Sequence, residues 1–173
     1  MQILNQKILF TKEACDSIIN TYTNLPITGT GGATFQKYVY RNVNYETHGW
    51  IVDRFANWVE NEANCKIEWH ASPIQEFYLQ TYEVGDRFMK HDDSKYDRLY
   101  SVGLLLNDGF SGGDFIVDVN KNESVLFDNK IGNCYFFESR YQHELMEITN
   151  GTRHIILVFF KKQQVKLNMN KLL

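Results

Sequence analysis

An antiparallel double sheet of jelly-roll type, with two N-terminal helices packed on one of its sheets, is the architecture this sequence predicts. Three observations predict it. From Lys66 onward the chain breaks into eight short aromatic or β-branched runs separated by turn-forming residues, the mark of an all-β sandwich or barrel. Aromatic residues make up 14% of the chain, with 12 Phe and 10 Tyr against 2 Pro, a usage that suits half-buried strands. Ahead of Lys66, two stretches carry their apolar residues at helical spacing instead.

The elements follow in order. "QKILFTKEACDSIINTYTNL" reads as a short strand leading into a helix capped by Thr11, with Ala14, Ile18, Ile19 and Tyr22 on its apolar stripe. "PITGTGGATF" is rich in glycine but lacks the Gly-Lys-Ser/Thr of a phosphate cradle. It reads as a mobile loop, and residues 29–32 are a candidate lid over a substrate. "THGWIVDRFANWVENEAN" is a second helix, with Trp50, Ile51, Phe55, Trp58 and Val59 on its buried side. The strands are "KIEWHAS", "IQEFYLQTYEV", "RLYSVGLLLN", "GDFIVDV", "ESVLFD", "GNCYFFES", "HELMEIT" and "RHIILVFF". No repeat or linker divides the chain, so a single domain is expected: 1–65 the N-terminal strand and helices, 66–162 the jelly-roll core, 163–173 a tail.

Bulk properties exclude several classes. With 18 basic and 21 acidic residues the net charge is −3, without the basic excess that gripping a nucleic-acid backbone requires. The locally basic tail "KKQQVKLNMNKLL" reads as a solvated segment. Cys15, Cys65 and Cys134 are scattered and odd in number, which indicates neither a zinc site nor a disulfide framework. The N-terminal stretch lacks the pattern of a secretory signal, and no segment approaches the roughly 18 apolar residues of a membrane span. A cytoplasmic location is expected.

Chemistry concentrates in "KHDDSKYDRLY", residues 90–100. If "FMKHDD" is extended, alternation puts His91 and Asp93 on one face and turns Asp92 away. One imidazole and one carboxylate rarely suffice for a metal, so a third ligand is needed, from among His48, His70, His143 and His154. His143 begins a strand after the turn "ESRYQ", where a side chain can face a shared cavity. Two histidines and a carboxylate form the facial triad that leaves coordination positions open on non-haem Fe(II). Arg153 starts an apolar strand with no acidic residue nearby in it. A buried guanidinium there needs an anion, which a dicarboxylate co-substrate supplies through a bidentate contact. A three-residue loop at 149–151 would set Arg153 opposite Glu147, on the face of His143 and about 13 Å away, with Gly151 in the left-handed conformation.

These residues resemble the Fe(II)- and 2-oxoglutarate-dependent dioxygenases, and within them the prolyl 4-hydroxylase-like group. That group reads, in order, a strand tyrosine, His-x-Asp, an arginine before a strand ending in Leu-Asn, a Gly-Gly turn, a glycine before an aromatic pair, His-Glu-Val, and Gly-x-Arg before an apolar strand. The matching pieces here are Tyr82, His91 with Asp93, Arg98 with "VGLLLN", "SGGDF", "IGNCYFF", "HEL" from His143, and "GTR" ending at Arg153. The N-terminal "ILFTKEACDSII" also looks like the group's opening strand and helix, so the resemblance spans nearly the whole chain.

The resemblance implies that His91, Asp93 and His143 bind Fe(II), that Arg153 binds the distal carboxylate of 2-oxoglutarate, and that Tyr82 hydrogen-bonds the co-substrate. It places Arg98 near the bound substrate and Phe159 in the pocket wall. O2 is the second co-substrate, and ascorbate a candidate accessory reductant. Where some relatives carry a second co-substrate tyrosine this chain has Leu105, so Ser101 or Tyr100 is expected to substitute. Relatives that repair nucleic-acid bases carry a second arginine where Phe159 stands, which counts against base dealkylation. The implied activity is hydroxylation of peptidyl proline in a peptide or protein substrate. The alternatives are a related hydroxylase of another side chain or a free amino acid, and a non-catalytic binding protein of the same fold.

Overall fold

A computed structural model describes residues 4–31, 38–69 and 76–163. In chain order the elements are β1 (Leu4–Ile8), α1 (Lys12–Tyr22), β2 (Gly29–Gly31), β3 (Tyr38–Asn42), α2 (Tyr45–Ala63), β4 (Ile67–Trp69), β5 (Phe77–Tyr82) and β6 (Phe88–His91). There follow β7 (Tyr100–Leu105), β8 (Ser111–Gly112), β9 (Phe115–Asn120), β10 (Glu123–Leu126), β11 (Asn133–Glu138), β12 (Gln142–Leu145), β13 (Ile148–Asn150) and β14 (Arg153–Lys162). Strands dominate and the core is a jelly roll, as the runs of aromatic and β-branched residues predict.

Among the described residues the larger sheet runs β1-β11-β7-β14-β5-β3-β2, with β4 also on β14, and the smaller runs β10-β9-β12-β6. Strand alternation builds two separate cores from the same strands. On β11, Cys134 and Phe136 pack under the helices with Ile18, Phe55 and Val59, whereas Tyr135 and Phe137 face the smaller sheet with Phe115, Val117 and Leu145. Likewise β14 sends Ile156, Val158 and Phe160 to the helices and Ile155 to the space between the sheets. A buried Phe, Leu or Ile contributes about 1.5–3 kcal/mol, so both layers are held by strands that are apolar on both faces. No helix among the described residues is long and apolar enough to cross a membrane.

Three expectations are corrected. Trp50 is not on the buried face of α2: it is 43% exposed and lies beside Phe10 and the Arg54 guanidinium. Helix α2 begins two residues earlier than predicted, because the Asn44 side chain accepts from the Glu46 and Thr47 amides and caps it there. The glycine stretch is a loop only in part: residues 26–28 are irregular, but Gly29 and Gly31 are not. Gly29–Gly31 forms β2, paired with β3 at the sheet edge, while Gly32 lies outside the described residues. The glycines permit close approach, since the Tyr38 ring occupies the space where a Cβ on Gly31 would stand.

The hairpin expected around Gly151 is also absent. Gly151 is left-handed, at φ 73°, but "HELMEIT" breaks into β12 and β13, and β13 pairs with β8. Strand β14 crosses to the larger sheet, between β5 and β7. Arg153 therefore sits opposite Tyr82, not Glu147, and faces His143 from the other sheet. The break comes at Met146 and Glu147, whose backbone groups bond to the Asp114 carbonyl and the Gly113 amide. Those bonds draw the chain off the small sheet before the turn.

Candidate metal and co-substrate site

Strands β6 and β12 pair so that His91 and His143 stand directly opposite each other, with ring centroids 4.4 Å apart. Asp93 follows two residues after His91, and its amide donates to the Ser139 carbonyl at 2.7 Å, fixing the turn. One carboxylate oxygen then lies 3.7 Å from His91 Nε2 and the other 3.4 Å from His143 Nε2. The ligand atoms of the three residues all fall within 4.8 Å of one another.

The protons are placed by the backbone. His91 Nδ1 is 2.8 Å from the Met89 carbonyl oxygen, and His143 Nδ1 is 3.0 Å from that of Tyr141. A carbonyl only accepts, so each Nδ1 carries the hydrogen and each Nε2 turns a lone pair towards Asp93. His143 is buried, and burial lowers its pKa, with Asp93 pulling it back upward and His91 lowering it further. Two imidazole lone pairs and a carboxylate thus converge with no hydrogen between them. That donor set is repulsive alone and fits a divalent cation, whose cis ligands at about 2.1 Å would stand about 3 Å apart.

Arg153 lies across a cavity of about 250 Å³ from this cluster. It is 2% exposed, and its Nε has no hydrogen-bond partner. Its guanidinium lies 5.6 Å from the Tyr82 ring and 6.0 Å from that of Phe110. No carboxylate among the described residues pairs with it. A buried, unneutralised guanidinium is costly and fits an incoming carboxylate. Burial raises the Tyr82 hydroxyl well above the usual tyrosine range, so it stays protonated and now donates to Gln80 at 2.8 Å.

Tyr135 lines the cavity together with Arg153; burial pushes its hydroxyl up to about 12, with the guanidinium pulling it down. Sequence reading missed it, and looked for the second tyrosine hydroxyl on β7 instead. Both residues expected there lie elsewhere. Tyr100 points into the helix-side core, and Ser101 does not line the cavity: its hydroxyl donates to Asp93 at 2.7 Å. The reason is Gly103. A Cβ there would overlap the Tyr135 ring, so the missing side chain on β7 lets the neighbouring strand reach across. A lone glycine inside "YSVGLLLN", opposite an aromatic run, was the available signal.

This packing gives a stability prediction. Gly103→Ala is expected to cost about 1–3 kcal/mol by overpacking, lowering the midpoint of thermal unfolding by several degrees. Adding Tyr135→Leu should recover most of the loss, whereas Tyr135→Phe, which keeps the ring, should not. Calorimetry of the double-mutant cycle reads the coupling.

Arg98 and Phe159 both line the cavity. The Arg98 guanidinium lies 3.8 Å from the Phe159 ring centroid, and its Nε donates to both oxygens of the buried Glu76 at 3.1 Å. Its Nη1 lies 3.8 Å from an Asp93 oxygen. Tyr38, Tyr40 and Tyr78, none of them anticipated, complete a tyrosine wall on β3 and β5. The other histidines weighed as third ligand are remote: His48 bonds to the Tyr22 hydroxyl and His154 to that of Thr81. His70 lies outside the described residues.

Two histidines and a carboxylate at one wall of the cavity, with a buried arginine at the other, form an arrangement that could hold a metal ion beside a carboxylate-bearing molecule. The profile of the 2OG-Fe(II) oxygenase superfamily matches residues 77–161, the span that carries all four residues. Comparison with curated protein sequences finds no match. Among solved structures, a 2OG-Fe(II) oxygenase family oxidoreductase from Burkholderia pseudomallei is similar at 15% identity and TM-score 0.77, over 93% of this chain and 86% of that one. A Pseudomonas putida prolyl-4-hydroxylase is similar at 13% identity and TM-score 0.70, over 94% of each. The viral collagen prolyl hydroxylase of Paramecium bursaria Chlorella virus-1, solved with 2-oxoglutarate, is similar at 15% identity and TM-score 0.68, over 93% and 96%. These likenesses are of fold.

Proposed function

We propose that the protein is an Fe(II)- and 2-oxoglutarate-dependent hydroxylase of peptidyl proline. His91, Asp93 and His143 would hold the iron, Arg153 the distal carboxylate of 2-oxoglutarate, and the Tyr82 and Tyr135 hydroxyls would donate to the same molecule. Bound there with O2, iron and co-substrate supply oxidative decarboxylation to succinate and CO2, coupled to hydroxylation of an unactivated C–H bond. The chain's own part is to orient and to keep the site dry. The paired strands present both Nε2 atoms, Arg153 sets the direction of the diacid, and Phe88, Phe115 and Phe137 exclude water from the interior end.

The unneutralised Arg153 facing the ligand cluster carries this reading. A scaffold that had lost the reaction would gain nothing from an unpaired buried cation. The substrate class rests on what charge is left. With the cluster assigned to iron and Arg153 to the diacid, the described lining offers one further charged side chain, Arg98, already bidentate on Glu76. The remainder of the outer wall is Tyr38, Tyr40, Tyr78, Leu157 and Phe159. A free amino acid would bring two charges to a described lining whose one further cation, Arg98, is already paired with Glu76. A neutral, ring-sized residue within a peptide suits it, and a tyrosine wall packs well on a proline ring.

The test is mass spectrometry of a peptide library, proline-containing and proline-free, after incubation with Fe(II), 2-oxoglutarate, O2 and ascorbate. The expected result is one added oxygen on proline with matching succinate, abolished in His143→Ala. Oxygen on free amino acids, or on peptides only at other residues, would overturn the substrate assignment. No succinate under any condition would overturn the enzyme.

A further inference from the structure

Ser101 and Ser139 are both fully buried, at 0% exposure, and the cavity does not touch either of them. They come from β7 and from the residue that follows β11. Their hydroxyls lie 3.0 Å apart, and Ser101 Oγ is 2.7 Å from Asp93 Oδ2. The direction of this chain is set by chemistry: a carboxylate accepts, so Ser101 gives its hydrogen to Asp93, and its oxygen is left to accept from Ser139. The same Ser139 holds the Asp93 amide through its carbonyl at 2.7 Å, while its own amide donates to Leu99 at 2.9 Å. Asp93 is therefore gripped at backbone and side chain by one buried pair.

We propose that Ser139 and Ser101 form a directional hydrogen-bond relay that positions Asp93 as a one-oxygen metal ligand. A carboxylate free to turn about its Cβ–Cγ bond can offer both oxygens to a cation and take up two coordination positions. Here each oxygen faces one histidine, Oδ2 at 3.4 Å from His143 Nε2 and Oδ1 at 3.7 Å from His91 Nε2. The Ser101 hydroxyl already occupies a lone pair of Oδ2, while the Arg98 Nη1 stands 3.8 Å from Oδ1. The relay reserves the remaining positions for other ligands and polarises the Ser101 hydroxyl through Ser139, as linked hydrogen bonds do. Ser101 and Ser139 are positioning residues, since they act through Asp93. The proposal rests on the assignment of the three residues to a metal, and removing a hydrogen-bond partner of a metal ligand commonly costs about ten- to hundredfold in affinity.

The experiment titrates Co(II) alone into the metal-free protein, following affinity and the visible absorption of the bound ion, which reports coordination number. Ser101→Ala is expected to weaken Co(II) roughly ten- to hundredfold and to change the spectrum as a second carboxylate oxygen enters. Ser139→Ala keeps the Ser101 hydroxyl and should weaken binding by a smaller factor in the same direction. Ser101→Thr, which restores a hydroxyl, should return the wild-type spectrum. A purely structural role would lower the unfolding temperature of the metal-free variants and leave the spectrum of those that fold unchanged. Wild-type affinity and spectrum in Ser101→Ala, or in Ser139→Ala if the former does not fold, overturns the relay and leaves the iron assignment standing. A wild-type protein that binds neither Co(II) nor Fe(II) overturns the iron assignment, and the relay with it.

Discussion

Asp93→Asn is expected to abolish tight metal binding, while Asp92→Asn, one residue away, leaves it nearly intact. The two carboxylates are chemically alike and differ only in where the backbone sends them. Asp93 stands between His91 Nε2 and His143 Nε2, at 3.7 and 3.4 Å, and supplies the only negative charge of the cluster. An amide there removes that charge and turns an N–H towards a cation or a lone pair. The loss should exceed the ten- to hundredfold typical of removing a group that merely supports a ligand. Asp92 is exposed and points away. It accepts from the Ser94 amide and from the Gln142 side chain, both at 3.0 Å, and from the Ser94 hydroxyl. These contacts hold its pKa below the usual carboxylate range, the Ser94 hydroxyl foremost. An asparagine oxygen can replace most of them, so Asp92→Asn should change stability by no more than about 0.5 kcal/mol. Anaerobic calorimetric titration with Fe(II) separates the two variants. Equal losses in both would mean that the cation sits elsewhere in the turn.

That asymmetry was legible in the sequence because alternation along a strand is a local rule. His91 and Asp93 needed only the assumption that "FMKHDD" is extended, and β6 does run to His91. The alternating faces of β11 and β14 were equally open to reading, since each strand is apolar throughout and must be covered on both sides. What escaped was whatever depends on which strand lies beside which. Arg153 was expected on the sheet of His143 because consecutive strands usually pair. The chain instead leaves the small sheet after Leu145 and enters the large one at Arg153, between β5 and β7. The result is that the His-Asp-His cluster and the arginine face each other across the sandwich. Tyr135 was hidden for the same reason. Its reach into the cavity depends on Gly103 of the neighbouring strand, 32 residues earlier, and the lone glycine becomes a readable gap only once the two strands are known to pair. Trp50 shows the opposite failure. It falls within the apolar run of α2, yet the arc covered by the sheet ends short of it, and Arg54 packs at 5.9 Å from its ring.

Arg153→Met is expected to weaken 2-oxoglutarate binding by at least about a hundredfold while making the ligand-free protein more stable. The two effects have one cause. Arg153 is 2% exposed in the wild type, and its Nε is unpartnered. Its neighbours, the Tyr82 and Phe110 rings at 5.6 and 6.0 Å, offer only the modest attraction of an aromatic face. Removing one partner of a buried charged contact costs about 2–5 kcal/mol of binding, and about 2.7 kcal/mol already corresponds to a hundredfold. Methionine matches the length of the stem and needs no anion, so replacing the desolvated charge should stabilise the ligand-free fold by about 1–4 kcal/mol. For a chain of this size each kcal/mol moves the unfolding midpoint by about 2–4 °C. Co-substrate should then reverse the ranking. A ligand at a hundred times its dissociation constant adds about 2.7 kcal/mol to a protein that binds it, and the variant should gain almost nothing. Thermal scans of both proteins with Mn(II), with and without 2-oxoglutarate, read all four quantities. A variant that is less stable than the wild type without ligand would show that the surrounding rings already compensate the buried charge. A variant that keeps its response to 2-oxoglutarate would move the diacid to another part of the cavity, with Arg98 the next cation to test.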